Sequence, residues 1–508
     1  MTTITRPKHY DDLIGYLRDT ATFESVIALA EWDQETYMPS GAAGARAAQL
    51  SLLAGMYHER ATSEALGSLI AACEDDGDLT GDAETAAELR EIRRSFDRKT
   101  KLPGDLVREA ARTGSQAQQA WKQAREHNDF PAFEPWLAKM VDIARRKAAC
   151  YGTPDGGEAY DALLDEYEPG ARASEIEAVF TPLGERLSAF IMDITDNGTP
   201  PSDAPLNVSV SESAQHAFGL EVLGAMGFDL NAGRLDTTAH PFCSGFAPGD
   251  TRLTTRYRDE RFSDALYGTM HEGGHGLYEQ GLPKRDRHGS PLAESISLGI
   301  HESQSRMWEN LVGRSREFWT WAKPIADAHF GGALEAFSVE DMTNAVNTAK
   351  PSLIRVEADE ATYNLHVMLR FELERALLRG DLEAADVPGA WNARFKELFG
   401  IDVPDDTRGC LQDVHWSFGL IGYFPTYTLG NLYAAQFWET ILDEVPDLES
   451  KMERGAFGDL LAWLREKIHA PGKRYRAGEL CEMVTGEPLS AEPLMRHLER
   501  RIRPAYGL

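Results

Sequence analysis

The segment His271-Glu272-Gly273-Gly274-His275 sets two imidazoles four residues apart with a carboxylate between them. On a helix, residues at i and i+4 project from one face, so the pair can hold a single metal ion through two ring nitrogens. Glu272 then stands beside that ion. A zinc-type ion with an open position polarises a water and a scissile carbonyl, and an adjacent carboxylate can take the water's proton. The spacing therefore encodes metal-assisted hydrolysis, provided that the motif is helical and a third ligand reaches it.

Phe262, Ala265, Leu266, Thr269 and Met270 before the motif and Leu277 after it recur at helical spacing, with Glu260 and Asp264 near the start. Gly273 and Gly274 each cost about 1 kcal/mol relative to alanine inside a helix. Close approach of a substrate or of a neighbouring helix would recover that cost. For the third ligand, the segment from Pro291 to Asn310 reads as a second amphipathic helix, with Leu292, Ile296, Leu298, Ile300 and Met307 on its apolar side. Three of its acids, Glu294, Glu302 and Glu309, are candidates. Spacing does not choose among them, because the loop between two packed helices has free length. An acid left unused would accept a hydrogen bond from a ligating imidazole, or carry a solvated charge.

The elements that must position these residues are mostly helical. Periodic Ala-, Leu-, Glu- and Arg-rich stretches run over about 10–60 and 84–147, separated by the acidic segment 73–82, which reads as an exposed turn. A helical stretch over 173–193 leads to Asn197-Gly-Thr-Pro-Pro-Ser202, the clearest linker. After it, 234–240 and 251–257 alternate with Thr-rich strand character around a turn-rich connection, 243–249, which predicts a small antiparallel β-sheet entering the metal helix. From Asp259 helices return, one of them over about 356–379. The expected fold class is mainly α with that small sheet, as one domain over 1–508. Within it, an N-terminal helical subregion covers about 1–200 and a catalytic subregion about 203–508.

Hydrophobic residues make up 42% and charged residues 26% of the chain, which suits a protein with a sizeable core. Fifty-two basic against 81 acidic side chains give a net charge of −29, which argues against nucleic acid or an anionic membrane as partner. No window approaches the 18 or more apolar residues of a membrane helix, and the first residues hold no apolar run of signal-peptide length, so a cytoplasmic protein is expected. Five widely separated cysteines without CxxC spacing suggest neither a disulfide framework nor a thiolate metal site.

Further segments accompany the metal motif. They are Tyr160–Gly170, His240-Pro241-Phe242, Asp250-Thr251-Arg252-Leu253-Thr254, His301-Glu302-Ser303-Gln304, Ile354-Arg355-Val356-Glu357-Ala358-Asp359 and Gly409–Trp416. In this order they resemble the M32 metallocarboxypeptidases, also called the carboxypeptidase Taq family, from about Trp32 to the C-terminus. The resemblance implies that Glu302 is the third ligand of one divalent metal. Zn²⁺ is the first choice, and Co²⁺ and Mn²⁺ suit the same donors. It implies that Arg355 holds the free α-carboxylate of the substrate through its planar fork, with Asp359 as its orienting partner or as a helix N-terminal charge. His415 and Tyr423 lie in a Gly- and aromatic-rich stretch suited to a loop that closes over substrate, where either can donate a hydrogen bond to the oxyanion. Gln412, a further candidate substrate-binding residue, and Asp413 precede them.

His240, Arg252 and Asp250 resemble family positions that close one end of a groove; the alternative is a structural turn fixed by an Asp250–Arg252 pair. A single large helical body with a deep active-site groove and a homodimer are further implications of the resemblance. The expected function is a metal-dependent carboxypeptidase acting on peptides with a free C-terminus, Glu272 being the general base. The other readings are an endo-acting oligopeptidase and a non-catalytic metal-binding helical scaffold.

Overall fold

The N-terminal helices Lys8–Thr36, Glu64–Glu74 and Ala83–Lys101 bury a core of their own, formed by Tyr10, Leu13, Leu66, Ile70, Cys73, Leu79, Leu89 and Ile92. The computed structural model describes residues 6–508. Within the acidic segment, expected to be a plain turn, Gly77–Gly81 forms one helical turn because Asp76 caps it and Leu79 is drawn into this core. A polar seam ties the N-terminal helices to the rest: Tyr10 donates to Glu88 at 2.5 Å, and Ser290 also donates to Glu88. The antiparallel pair Gly104–His127 and Phe130–Tyr151 follows, reversing at Asn128, and then the long helix Ala173–Asn197.

The sheet lies between the N-terminal helix and the helix that carries the histidines. Its strands β1 (Gly233–Thr237), β2 (Cys243–Ala247) and β3 (Asp250–Thr255) are ordered β1-β3-β2. The expected antiparallel pairing of the first and last is not what forms. β1 runs parallel to β3, with Leu235 opposite Leu253, and β2 is the antiparallel neighbour, with Ser244 opposite Arg252. The segment read as a connection is itself a strand. It folds back onto β3 through a turn at Gly249 (φ +82°), occupying one edge of β3 and leaving only the opposite edge to β1.

The helix Phe262–Gly281 carries His271, Glu272 and His275, as the periodicity predicts. The second predicted helix is shorter than expected. It begins at Leu298, where the Ser297 side chain accepts from the Ile300 N–H at 3.0 Å. Pro291–Ala293 forms only a 3₁₀ turn, so Glu294 lies outside the helix. Beyond Arg306 the chain widens into a π-helical turn, Met307–Val312, which carries Glu309.

Two helices clamp the Leu298–Arg306 helix at close range. A Cβ on Gly274 would lie 2.5 Å from the Gln304 carbonyl oxygen and 2.7 Å from Ser305 Cα. On the other side, a Cβ on Gly430, in the helix Pro425–Glu444, would lie 2.5 Å from Glu302 Cγ. The helix-propensity cost of Gly274 is thus offset by backbone-to-backbone packing. The helix Glu360–Arg379 is buried along almost its whole length and brings Asn364, His366, Arg370 and Glu374 inside with it. No helix among the described residues is long and apolar enough to cross a membrane, and all five cysteines are unpaired.

Candidate active site

His271 and His275 aim their Nε2 atoms at one oxygen of Glu302, at 3.6 and 3.4 Å. The three candidate donor atoms lie within 4.8 Å of one another. Each ring is oriented from behind. His271 Nδ1 donates to Glu309 Oε2 at 2.9 Å. His275 Nδ1 meets His301 Nδ1 at 2.5 Å, and His301 Nε2 meets Glu279 Oε1 at 2.8 Å, with Lys284 paired to the same carboxylate. His301 therefore donates to Glu279 and accepts from His275, which leaves the His275 Nε2 lone pair facing Glu302. Of the three candidate acids, Glu302 joins the imidazoles and Glu309 orients one of them. Glu294 is exposed and paired with Lys473 at 2.8 Å.

Arg306, four residues after Glu302 and three before Glu309, bonds both carboxylates, at 2.7 and 2.9 Å. Burial works against the charge on Glu302, but Arg306 and His271 outweigh it and hold the carboxyl well below the usual range. Burial also works against a charged His271; Glu302, Glu309 and Glu272 prevail and push it up to about 9. His275 moves the other way, down to about 3, through burial and the neighbouring His301. Glu272 is buried, and burial, opposed mainly by His271, pushes it up to about 7. A buried carboxylate beside a donor cluster, titrating near neutrality, is equipped to exchange a proton.

Arg355 lies in the 3₁₀ turn Arg355–Glu357 and is buried. Its partner is not Asp359. Nε and Nη2 donate to Asp413 Oδ1 at 3.0 and 2.8 Å, and Nη1 donates to Tyr363 at 2.9 Å. Asp359 instead caps the next helix, accepting from the Ala361 and Thr362 N–H groups, the second of the two expected roles. The Gln412 side chain is spent on the backbone: it accepts from the Arg355 N–H at 2.9 Å and donates to the carbonyls of Leu353, Arg408 and Gly409. Gln412 thus braces Arg355 from below.

The cluster connects to the donor centre through Tyr363. Arg306 stacks over the Tyr363 ring at 4.6 Å, so the chain of contacts runs Arg355, Tyr363, Arg306, Glu302. His415 lies against Phe424 and Tyr423, ring centroids 4.5 and 5.5 Å away, with Nε2 3.4 Å from Tyr427 Oη. Burial, Arg355 and Arg370 outweigh Asp413 and bring His415 down to about 4, so it is neutral at physiological pH. Tyr423 is partly exposed and packs edge-on against Tyr167 and Tyr427.

The sheet residues divide. Arg252 forms a two-pronged pair with Asp250 at 2.8 and 2.9 Å and stacks on Trp32 of the N-terminal helix at 4.3 Å. The structural turn held as the alternative is therefore present, and it also joins the sheet to that helix. His240 is exposed between β1 and β2. Arg306, Tyr363, Glu279 and Arg370 were not singled out from the sequence. Arg306 had a local signal, its i+4 spacing from Glu302. The others had none, because the groups they serve belong to other elements.

A model of the carboxypeptidase Taq (M32) metallopeptidase family matches residues 12–502. The chain is 45% identical over 507 residues to thermostable carboxypeptidase 1 of Thermus thermophilus, covering 98% of this chain and 99% of that protein. It is 35% identical over 506 residues to carboxypeptidase 1 of Bacillus subtilis, covering 99% of each. The fold matches the crystal structure of the M32 carboxypeptidase from Deinococcus radiodurans with a TM-score of 0.95 at 40% identity, covering 99% of this chain and 100% of that one. In sequence, in length and in the fold that gathers its histidines and acids, this chain belongs to the carboxypeptidase Taq (M32) family of metallocarboxypeptidases.

Proposed function

We propose that this protein releases C-terminal residues from peptides, using one divalent metal held by His271, His275 and Glu302 and using Glu272 as general base. The observation that carries this is the convergence of two imidazole nitrogens and one carboxylate oxygen within 4.8 Å. Two imidazoles and a carboxylate fit the three-ligand set of a catalytic zinc, and Co²⁺ or Mn²⁺ accept the same donors. Bound there, such an ion supplies Lewis acidity to a water and to the scissile carbonyl.

The chain's own groups do the rest. Glu309 and His301 commit the Nδ1 atoms, so both imidazoles present Nε2. Glu272 takes a proton on its carboxylate during attack and returns it to the leaving amine. Arg355 has five N–H groups, of which three are used by Asp413 and Tyr363, leaving two for a substrate carboxylate. Holding that carboxylate makes the site an exopeptidase by positioning rather than by altered chemistry. Neutral His415 and Tyr423 donate hydrogen bonds toward the carbonyl that acquires charge. Gln412 acts through Arg355. His240, Asp250 and Arg252 close one end of the site and limit how far a peptide extends.

The test is incubation of the metal-analysed protein with one peptide in free and amidated forms, followed by product masses. Stepwise loss from the free form alone is expected. Internal cuts in the amidated form would favour an endo-acting enzyme, and stoichiometric metal without hydrolysis a scaffold. Zinc as the resident ion, a cytoplasmic location, a homodimer and a single domain complete the proposal; metal analysis, cell fractionation, sedimentation and a single unfolding transition test them.

A further inference from the structure

Glu374 is wholly buried on the helix Glu360–Arg379, and its two oxygens serve three donors. Oε1 accepts from Trp416 Nε1 at 2.9 Å, while Oε2 accepts from the Tyr160 hydroxyl at 2.9 Å and the Gly422 N–H at 3.0 Å. One turn earlier on the same helix, Arg370 donates to Asp413 Oδ2 at 2.6 Å. Two neighbouring side chains therefore pin residues 413, 416 and 422, and between and beside these points stand His415 and Tyr423. A loop expected to be flexible is anchored at both ends. Gly422 makes the last anchor possible: its φ of +93° turns the N–H inward, and a Cβ there would lie 2.9 Å from the Leu164 nitrogen. Tyr160, on the helix Ala159–Leu164, leads to Tyr167, whose ring meets that of Tyr423 at 5.1 Å. One carboxylate thus holds two separate segments whose aromatic rings touch.

We propose that Glu374 is a positioning residue of the peptidase reaction, setting where His415 and Tyr423 stand relative to Arg355 and so the fit of the substrate's C-terminus. This rests on the reading of Arg355, His415 and Tyr423 as substrate-facing. Only an acceptor can meet these donors. Two of them, the indole and the backbone N–H, cannot turn away, whereas the tyrosine hydroxyl can rotate. A glutamine of the same shape must point its NH₂ at one or the other.

The test is Glu374→Gln in the full-length, metal-loaded protein, with kcat and KM measured on a peptide with a free C-terminus. The expected result is a fall in kcat/KM of about a hundredfold, at unchanged metal content, from loss of placement at the site. Unchanged kcat and KM would overturn the proposal, and so would a loss of activity only in proportion to lost metal or lost fold. Should that variant not fold, Trp416→Phe removes a donor and keeps the carboxylate; a lowered kcat/KM at full metal content supports the proposal, and an unchanged kcat/KM overturns it. His415→Ala and Tyr423→Phe separate the two levels. If both behave as wild type, the substrate-facing reading falls and takes the proposal with it. If they impair turnover while Glu374→Gln does not, only the positioning role falls.

Discussion

His271 Nδ1 lies 2.9 Å from Glu309 Oε2, while Nε2 of the same ring faces Glu302 Oε2 at 3.6 Å. One carboxylate orients the ring that is presented to the other. Glu309→Ala removes the orienting group and leaves the three donors in place. Metal affinity is expected to fall about 10- to 100-fold, measured by competition with a chelator. Wild-type affinity in the variant would count against the orienting role.

Glu272→Gln retains the donor cluster and removes the carboxylate proposed as proton acceptor. The variant should bind metal stoichiometrically and lose about 10²- to 10⁴-fold in kcat. Metal analysis and turnover on the same preparation decide it; comparable turnover in the two proteins would assign the base elsewhere.

Arg355→Ala leaves Asp413 paired with Arg370 at 2.6 Å, so the local charge balance is only partly lost. Removing the carboxylate fork should cost about 3 kcal/mol, roughly a hundredfold in kcat/KM, on peptides with a free C-terminus. An Arg355→Ala enzyme that still prefers free over amidated peptides would end the anchoring assignment.

Gly274→Ala places a methyl 2.5 Å from the Gln304 carbonyl oxygen, which belongs to backbone and has little room to yield. The two helices must separate, at a cost of about 1–3 kcal/mol, and Glu302 moves with its helix. Both thermal stability and metal affinity should fall. A variant with both intact would show that the helices accommodate the methyl without moving.

Glu168 is buried, with Oε2 accepting from the Gly299 N–H at 3.0 Å. Burial pushes its carboxyl from 4.5 up to about 7, against the pull of Ser297 and Gly299. A carboxyl raised on folding favours the folded state in its protonated form. Its contribution is complete below about pH 4.5 and is lost as pH rises through about 7, a swing of about 3 kcal/mol. Glu168→Gln removes this titration and keeps an acceptor for Gly299. Compared with wild type, the variant should gain relative stability between pH 5 and pH 8, read from melts at both values. Parallel pH dependence in the two proteins would exclude the effect.

Much of the donor centre was legible locally. His271 and His275 share a face because a helix puts i and i+4 there, and the apolar spacing from Phe262 to Leu277 specifies that helix. Short-range order of this kind is a property of the segment itself. The general reach of helices was legible for the same reason, whereas their ends were not: Pro291 to Ser297 carries helix-like apolar spacing, yet the Ser297 cap starts the helix at Leu298.

By itself, then, the sequence determined a paired-imidazole helix, a mainly helical scaffold and a family resemblance that selected Glu302 and Arg355. Tertiary structure alone decided how the remaining groups are shared out. It gave β3 two different neighbours, matched Arg355 with Asp413, placed Glu309 behind His271 while sending Glu294 to Lys473, and gathered three donors around Glu374. Apart from the pairings within the sheet, these contacts join segments tens to hundreds of residues apart. Their selection depends on which buried polar groups must be satisfied once the helices have packed, and no local spacing encodes that.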